Sequence, residues 1–460
     1  MSPMRRRLAL PAAVLALALA CDDASDGDPA LAGGDTTVFD VTGNAFSLSA
    51  RNMSFDRRQR FVVGNSFFNK NWVVAGNSTT GRDGLGPTFN ARSCSTCHRK
   101  DGRGRPPAPG EDFGGLLLRL SLPGAGPHGG PLAAGAYGDQ LQSQAIADVP
   151  VEGTPRVRYS ERPGSFADGS TYSLRVPSYT IEAPTLGPLP DGLLISPRVA
   201  PVMIGMGLLA AIPEADLLAL ADPEDRDGDG VSGRANRVWD VQAGALALGR
   251  FGWKANQPSV RQQTAGAFLG DMGITSSLFA AQNCPEGQTA CNAAPPGGTP
   301  EIDDDLLADV VLYSSTLAVP ARRDVEAPAT RRGEQLFLAA ACDACHTPRH
   351  RTADDDPLIE AAGQTIFPYT DLLLHDMGPE LADHRPDYAA DGNEWRTPPL
   401  WGIGLVETVN GHTDFLHDGR ARSLLEAVLW HGGEAESSRD AVLALSAEER
   451  ADLVAFLASL

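Results

Sequence analysis

The sequence predicts a mainly α-helical protein of two related domains, the first of which is enlarged by long loops and insertions. One observation is a five-residue cysteine–histidine motif that occurs twice, beginning at Cys94 and at Cys342. Another is the apolar periodicity of the C-terminal segments, which is that of amphipathic helices. The third is composition: 49 glycines and 35 prolines with only 6% aromatic residues are typical of a loop-rich protein around a modest helical core.

The N-terminus has the features of a secretion signal. Basic residues precede an apolar run from Leu8 to Ala20, which is too short to cross a bilayer as a stop-transfer helix. We therefore predict a signal peptide over residues 1–20 and a periplasmic or otherwise exported protein. Small residues precede Cys21, so both a lipid anchor at this cysteine and an ordinary cleavage site stay open. Residues 21–44 begin small and acidic and predict a disordered tether.

The repeated motif is Cys-x-x-Cys-His, and its two copies are Cys94-Ser-Thr-Cys97-His98 and Cys342-Asp-Ala-Cys345-His346. Two thiols at this spacing bind the two vinyl groups of one porphyrin, and the histidine is the proximal ligand of the iron. A single copy would also fit a zinc half-site or a redox dithiol. Two copies in an exported chain, without further paired cysteines nearby, favour two covalently bound haems c and hence a mainly α pair of cytochrome c-like haem domains.

The spacing of the motifs sets the predicted domain boundaries. We place an N-terminal haem domain with insertions over residues 45–324 and a C-terminal haem domain over residues 325–460. Gly333 and Phe337 have the spacing of a first cytochrome helix before the second motif. The remaining cysteines, Cys284 and Cys291, predict a disulfide because the chain is headed for an oxidising compartment.

A helix near the C-terminus carries a further histidine on its apolar face. Ser423 and Glu426 form a capping-box pattern, and Leu424, Ala427, Val428 and His431 then share one side of the helix. A histidine in such a position is either a core residue bonded to a backbone carbonyl or the sixth ligand of the nearby haem iron.

Several phrases in this half resemble a known group of proteins. The segments Arg396-Thr-Pro-Pro-Leu400, Phe415-Leu-His-Asp-Gly-Arg420 and Ser423-Leu-Leu-Glu426 resemble the C-terminal haem domain of bacterial di-haem cytochrome c peroxidases and of the methylamine dehydrogenase maturation enzyme. The longer phrases from Pro368 to Gly378 and from Trp430 to Gly433 resemble the di-haem oxidoreductase branch, whose members are sometimes labelled thiol oxidoreductases. The likeness runs from about residue 50 to the end.

The resemblance implies roles for two residues of the C-terminal domain. His431 stands where the peroxidases have a methionine ligand and the maturation enzyme a tyrosine ligand. A bis-histidine, low-spin haem that transfers electrons is therefore implied. Arg420 would neutralise a haem propionate; a plain surface arginine is the alternative.

The segment from Phe251 to Met272 resembles the active-site stretch of the peroxidases. By that likeness Trp253 bridges the two haems, Gln263 lines the distal pocket, and Asp271 moves the proton in O–O cleavage. A core tryptophan and a helix-capping aspartate are the alternatives. No methionine or histidine follows the first motif at short spacing, so we expect an open iron there that binds peroxide, although Ala210 stands where relatives carry an acid.

Residues 225–236 match the first half of an EF-hand loop but end in Asn236 instead of glutamate. A weak Ca²⁺ site with Asp225, Asp227 and Asp229 as ligands and a plain acidic turn are the two interpretations.

Together these features predict an exported di-haem oxidoreductase of peroxidase type. Its C-terminal haem would feed electrons to an N-terminal haem that reacts with hydrogen peroxide or a similar small oxidant. The formal charge of −20 excludes nucleic-acid binding and fits an electron-donor protein with a basic face, such as a small cytochrome or cupredoxin. Alternatives are a non-catalytic electron carrier and an enzyme that uses the cysteine pairs as dithiols.

Overall fold

The computed structural model describes residues 27–79, 81–108, 110–111 and 113–460. Its helices are α1 Phe55–Asn69, α2 Cys94–Cys97, α3 Met206–Ala210, α4 Glu214–Ala219, α5 Val260–Met272, α6 Thr289–Asn292, α7 Asp304–Ser315, α8 Pro328–Ala339, α9 Val406–Asn410, α10 Leu424–Leu429, α11 Glu436–Ala444 and α12 Ala447–Ser459. Its strands are β1 Val73–Val74, β2 Asp83–Leu85, β3 Thr88–Phe89, β4 Leu116–Ala125, β5 Pro131–Leu132, β6 Gln144–Ala145, β7 Thr154–Ser165, β8 Thr171–Glu182, β9 Leu194–Val199, β10 Arg237–Asp240, β11 Ala245–Leu248, β12 His350–Arg351, β13 Thr365–Ile366, β14 Leu374–Asp376 and β15 Glu394–Arg396.

The prediction of a mainly α-helical fold is wrong, because the structure is only 29% helical and contains 19% strand. Most of the difference lies in the insertions of the first half, which we expected to be loops. There β4 pairs antiparallel with β9 from Leu116 opposite Val199, and β7 pairs with β8 over twelve residues. Polar and apolar residues alternate along parts of β7 and β8, which is the period of a strand with one buried face. The prediction instead assigned this polar, glycine- and proline-containing region to loops.

Helices surround the first motif in the N-terminal half. The buried face of α1, formed by Phe61, Gly64 and Phe68, packs on α7. A Cβ atom at Gly64 would lie 2.1 Å from the carbonyl oxygen of Asp309, so only glycine allows the two helices to approach this closely. Helix α5 also packs on α7, and the short helix α2 carries the first cysteine pair.

The C-terminal half is built on α8 and α12, which pack against each other. The rings of Phe337 and Phe456 lie 5.1 Å apart, and a Cβ at Gly333 would lie 2.0 Å from the Asp452 carbonyl oxygen. Helix α12 begins at a capping box that Ser446 forms with Glu449. Helix α10 is capped by Ser423, whose side chain accepts from the Glu426 amide.

The two halves of the chain share a hydrophobic core. The largest cluster of buried apolar side chains draws on both, including Leu118 and Trp253 from the first half and Trp395 and Trp430 from the second. The boundary at residue 324 therefore stays a prediction. The predicted disulfide is confirmed, since Cys284 and Cys291 are bonded with their Cα atoms 5.7 Å apart.

The N-terminal predictions fall partly outside the described residues. The signal peptide and Cys21 belong to residues 1–26, of which the structure describes none. From residue 27 onward the predicted tether is not disordered: Thr36 and Thr37 are buried, and the Val38 amide donates to the Val319 carbonyl at 3.1 Å. Its backbone polar groups thus find partners in the folded protein.

No helix among the described residues is long and apolar enough to cross a membrane.

Candidate functional site

Both Cys-x-x-Cys-His motifs line one cavity of about 590 Å³. The cavity wall is apolar over most of its area, and a few polar side chains converge on it, as is usual for cofactor sites. Ten of the residues predicted from the sequence belong to this wall: Cys94, Cys97, His98, Trp253, Gln263, Asp271, Cys342, Cys345, His346 and His431. The four cysteines are not paired in disulfides.

The first motif follows strand β3, which ends at Phe89. Its thiols lie on the single turn of α2, and burial raises the pKa of Cys97 to about 12. The His98 ring is held by the Pro201 carbonyl, which accepts from Nδ1 at 2.8 Å. Burial lowers the pKa of His98 to about 4, so this imidazole is neutral and can act as a metal ligand.

The second motif repeats this arrangement. The Tyr369 carbonyl accepts from Nδ1 of His346 at 3.0 Å, and burial lowers the pKa of His346 to about 4. His431 lies on the wall as well, and its Nδ1 donates to the Ala427 carbonyl at 2.8 Å. A charge on His431 contributes to the lowered pKa of His346, which indicates that these two imidazoles lie close together.

All three histidines therefore use Nδ1 on a backbone carbonyl, and Nε2 has no hydrogen-bond partner among the residues that the structure describes. This is how a protein fixes the tautomer and orientation of an imidazole that binds a metal through Nε2. The two interpretations of His431 are compatible, because the carbonyl bond occupies one nitrogen and leaves the other for iron.

His375 lines the same wall but differs from these three. Asp371 binds its Nε2 at 2.7 Å, and Glu434 binds its Nδ1 at 2.8 Å. Burial lowers the pKa of His375, but hydrogen bonds to Asp371, Cys345 and Glu434 outweigh it and raise the pKa to about 12. A protonated histidine whose nitrogens are both occupied cannot be a metal ligand.

Trp253 connects two strands, β9 and β15, that lie beside the cavity. Its indole Nε1 donates to the Val199 carbonyl at 2.8 Å, two residues before Pro201, which holds His98. The backbone carbonyl of Trp253 accepts from the Arg396 amide at 2.9 Å. Arg396 belongs to β15, which pairs with β14, the strand that contains His375. The indole is buried and lines the cavity between these segments.

Helix α5 presents Gln263 and Asp271 to the cavity. The helix begins after Ser259, whose side chain accepts from the Gln262 amide. The Gln262 side chain is hydrogen-bonded to the backbone of Trp239 and Val241. Gln263, the next residue, lines the cavity. At the end of the helix, Asp271 Oδ1 accepts from Gln140 at 2.9 Å, and burial raises the pKa of Asp271. Asp271 also contributes to the raised pKa values of both Cys94 and Cys97.

Two buried arginines of the cavity wall have no carboxylate partner within ion-pair distance among the described residues. Arg103 donates to the carbonyls of Asp414 and Leu416, and Arg396 donates to the carbonyl of Gly252 at 2.8 Å. Burial lowers the pKa of each to about 10. Asp414 and Asp418 act on Arg103, and Asp371 acts on Arg396, only from beyond ion-pair distance. A buried cation without a direct ion pair is costly, so the cavity is suited to a ligand that brings carboxylates.

Arg420, to which the resemblance assigns this role, lies outside the cavity wall, and its role stays a prediction. Arg420 is not among the cavity-lining residues; its guanidinium binds Asp418 at 3.0 Å and lies over the Trp430 ring. The sequence did not single out Arg103 or Arg396 for this role. A usable signal was present, since Arg396 begins the phrase Arg-Thr-Pro-Pro-Leu that carries the resemblance.

Four thioethers, also missed from the sequence, lie on the cavity wall: Met203, Met206, Met272 and Met377. They are distant from Cys94 along the chain, which is why the search for a short-spaced ligand did not find them. The Met203 amide donates to the Asp101 carbonyl, three residues after His98, so Met203 lies near the first motif.

The acidic loop lies outside the cavity. The carboxylate oxygens of Asp225, Asp227 and Asp229 are within 4.8 Å of one another, and all three residues are exposed. This spacing is compatible with the Ca²⁺ interpretation, which stays a prediction.

Taken together, the wall holds two sets of two thiols and an imidazole, a third imidazole with a free nitrogen, and two arginines that lack acidic partners. A haem needs such groups for its vinyl carbons, its iron and its propionates. The residues present therefore fit two haems, and the class of protein defined by this cavity is a di-haem protein.

Comparison with protein families leads to the same class. A family model described as "Di-haem oxidoreductase, putative peroxidase" matches residues 27–120 and 157–460. The chain belongs to this di-haem oxidoreductase family. The search of curated proteins found no match.

Proposed function

We propose that this protein is an exported di-haem c-type cytochrome that reduces peroxide or a similar small oxidant with electrons from a donor protein. The observation that carries the proposal is the single cavity, lined by both motifs and by His431, in which the Nε2 atoms of His98, His346 and His431 are all free. A shared cavity keeps the two haems close enough to exchange electrons. Trp253, which is bonded to both neighbouring segments, is the proposed bridge.

The C-terminal haem is the proposed entry point for electrons. Cys342 and Cys345 would hold it covalently, and His346 and His431 would be its two iron ligands. An iron with two imidazole ligands would be low-spin and would transfer electrons without binding substrate. Arg103 and Arg396 would neutralise propionates within the shared cavity.

The N-terminal site is the proposed place of oxidant reduction. A haem held by Cys94, Cys97 and His98 would supply an iron that binds peroxide and accepts electrons. Gln140 fixes Oδ1 of Asp271, and Oδ2 has no hydrogen-bond partner among the described residues. Since burial raises the pKa of this carboxyl, Oδ2 would take the proton from one oxygen of peroxide and give it to the other, which leaves as water, while the donor protein supplies the electrons.

A second candidate, a non-catalytic electron carrier, is favoured by one observation. Met203, Met206 and Met272 lie on the cavity wall, and a thioether is a common sixth ligand of a haem iron. Ligation by one of them would close the N-terminal site to peroxide.

Several further features belong to the proposal. The donor would be a small cytochrome or cupredoxin with a basic face, since the chain carries a charge of −20. Export would follow from residues 1–20, with a lipid on Cys21 as the anchor. Ca²⁺ at Asp225, Asp227 and Asp229 would be a structural ion.

The first test is the low-temperature electron paramagnetic resonance spectrum of the oxidised protein, followed by mixing with peroxide. A high-spin ferric signal beside a low-spin one, with rapid consumption of peroxide, is expected for the peroxidase. Two low-spin signals and inertness in both the ferric and the half-reduced protein would establish the carrier instead. Mass spectrometry should find one covalent haem on each cysteine pair; free thiols would rule out both functions.

A further inference from the structure

A buried tyrosine of α7 lies close to the first motif and has no part in the proposed reaction. We propose that Tyr313 is a redox-active residue, which gives one electron to the N-terminal haem after peroxide has oxidised that haem and passes its phenolic proton to Asp101. The inference rests on the proposed function, because the reaction with peroxide supplies the oxidant. It adds a source of electrons inside the protein to the external donor.

The Tyr313 hydroxyl has the hydrogen-bond partners that such a step needs. Tyr313 is fully buried, and Asp101 is 2% exposed. The hydroxyl donates to Oδ1 of Asp101 at 2.5 Å and accepts from the side-chain amide of Asn65 at 2.8 Å. A phenol that loses an electron becomes strongly acidic, so an acceptor at hydrogen-bond distance allows the proton to leave together with the electron.

Asp101 is able to take this proton. Its second oxygen, Oδ2, accepts from the Ser47 hydroxyl at 2.6 Å. Both oxygens therefore act as acceptors, as those of an ionised carboxylate do. Among the described residues, no basic side chain forms an ion pair with this carboxylate. A negative charge without a counter-charge favours the loss of an electron from the neighbouring ring.

Aromatic rings connect Tyr313 with the first motif. The Tyr313 ring centroid is 5.2 Å from that of Phe68, and the Phe68 centroid is 6.2 Å from that of His98. Phe68 lines the cavity, as do Val310 and Ser314 on the helix that carries Tyr313. Only one ring therefore separates Tyr313 from the proposed iron ligand.

The second motif has a similar arrangement of rings, but its tyrosine has different partners. The Phe337 centroid lies 6.3 Å from that of His346 and 6.0 Å from that of Tyr369. The Tyr369 hydroxyl accepts from the Arg322 guanidinium at 3.2 Å, and its hydrogen bond to Glu334 is long, at 3.3 Å. A positive charge beside a phenol opposes the removal of an electron from it. The charges at the two sites therefore favour oxidation of the tyrosine at the N-terminal site.

The proposed step is a one-electron oxidation. The O–H bond of Tyr313 breaks, and a new O–H bond forms at Oδ1 of Asp101. The electron passes through Phe68 and His98 to the N-terminal haem, which is reduced by one electron. The products are a neutral tyrosyl radical and a protonated Asp101, and an electron from the donor protein reverses both changes.

The test mixes the ferric haem-containing protein with hydrogen peroxide in the absence of a donor and freezes it for electron paramagnetic resonance. Protein with ring-deuterated tyrosine is compared with unlabelled protein, because this label narrows the signal of a tyrosyl radical but not that of a tryptophan radical. The variants are Tyr313→Phe and Asp101→Asn, and Tyr369→Phe is the matched control. Asparagine keeps the size of the side chain and tolerates the left-handed backbone at residue 101, whose φ is 59°.

We expect a radical signal that the label narrows in the parent and in the Tyr369 variant. The signal should be absent from the Tyr313 variant and about tenfold weaker in the Asp101 variant, because a neutral amide oxygen is a much poorer proton acceptor than a carboxylate. The haem absorption spectrum before mixing should be the same in every variant, which separates loss of the radical from damage to the haem sites.

Consumption of peroxide without a narrowed signal, or equal signals in the parent and the Tyr313 variant, would overturn the inference and leave the proposed function standing. If the protein does not react with peroxide, the proposed function fails, and a photogenerated ruthenium(III) tris-bipyridine complex replaces peroxide as the oxidant. A radical that depends on Tyr313 would then retain this residue as an internal electron source, and its absence would overturn the inference as well.

Discussion

At the scale of single residues, the functional information lies in which nitrogen of each histidine is free. His98, His346 and His431 bind backbone carbonyls through Nδ1, whereas His375 has carboxylates on both nitrogens. Sequence spacing identifies a histidine on the apolar face of a helix, but it does not show which of the two ring nitrogens is hydrogen-bonded. The structure therefore separates candidate ligands from charged network residues.

His431→Ala should open the second haem to external ligands, because His431 lines the same cavity as His346 and its Nε2 is free to bind iron. We expect a high-spin signal to appear in the electron paramagnetic resonance spectrum and added imidazole to restore the low-spin form. His350→Ala is the control, since Nε2 of His350 is already bound by the Thr370 carbonyl at 2.7 Å. An unchanged low-spin spectrum in the His431 variant would refute the ligand assignment.

Asp271→Asn should slow the reaction with peroxide by about 10²–10⁴-fold, the usual contribution of a positioned acid–base group. The amide keeps the size of the side chain but cannot exchange a proton. Stopped-flow mixing with peroxide measures the effect, and Asp440→Asn, at an exposed site in α11, is the control. If the two variants react equally fast, Asp271 is structural.

At the scale of elements, the hairpin of β7 and β8 was not predicted from the sequence. It belongs to the first half of the chain and contacts the second half. Arg175 on β8 donates to Asp414 and to the Gly419 carbonyl, both at 2.6 Å. Near the tip, Arg450 donates to Asp168 at 2.8 Å. The hairpin thereby fixes the segment that leads into α10 and His431.

Arg175→Met should destabilise the protein by about 2 kcal/mol, since it removes charge-assisted hydrogen bonds in a mostly buried site. Urea unfolding followed by circular dichroism measures this change. Arg158→Met is the matched control, because Arg158 is an exposed residue of β7 without an ion pair among the described residues. Equal stability of the two variants would show that the hairpin does not hold the second half.

A buried carboxyl makes the insertions sensitive to pH. Glu152 accepts hydrogen bonds from the Gln142 amide and the Gln288 side chain, both at 2.7 Å. Burial raises its pKa from 4.5 to about 7. The folded state then binds the proton more tightly than the unfolded chain does, so this stability is complete below about pH 4.5 and is lost as pH rises through about 7.

Glu152→Gln should remove this loss, which amounts to roughly 3 kcal/mol. We expect unfolding free energies measured by urea titration from pH 4 to 8 to decline less in the variant than in the parent. Glu182→Gln, at a half-exposed position on β8, should leave the decline as it is. A parallel decline in parent and Glu152 variant would mean that the carboxyl is already ionised at low pH.

At the scale of the whole molecule, one cavity joins the two motif sites, so neither half is complete alone. A triple variant, Cys342→Ala with Cys345→Ala and His346→Ala, should lack the second haem. We expect it to unfold at lower temperature, because part of a cavity of about 590 Å³ is left without packing contacts. The absorption spectrum of the remaining haem should also shift.

The disulfide variant Cys284→Ser with Cys291→Ser is the control for this experiment, because neither cysteine lines the cavity. It should alter thermal stability and leave the haem spectrum as in the parent. An unperturbed first haem in the triple variant would contradict a shared cavity.

The sequence by itself determined the features that a few neighbouring residues encode. Two thiols and a histidine within five residues define each motif, Ser423 and Ser446 cap their helices locally, and the pair Cys284 and Cys291 closes a short loop. The family was predicted from the resemblance of phrases such as Pro368 to Gly378 and Trp430 to Gly433, and the comparison confirms it.

Only the tertiary structure decided how these parts meet. Arg103 binds the Leu416 carbonyl across 313 residues, and Asp271 meets Gln140 across 131. The strands of the first half also escaped prediction, because their pairing depends on partners as distant as β4 and β9. In all these cases the burial of a residue and the charges around it depend on segments that are distant in the sequence. A local sequence pattern therefore cannot predict them.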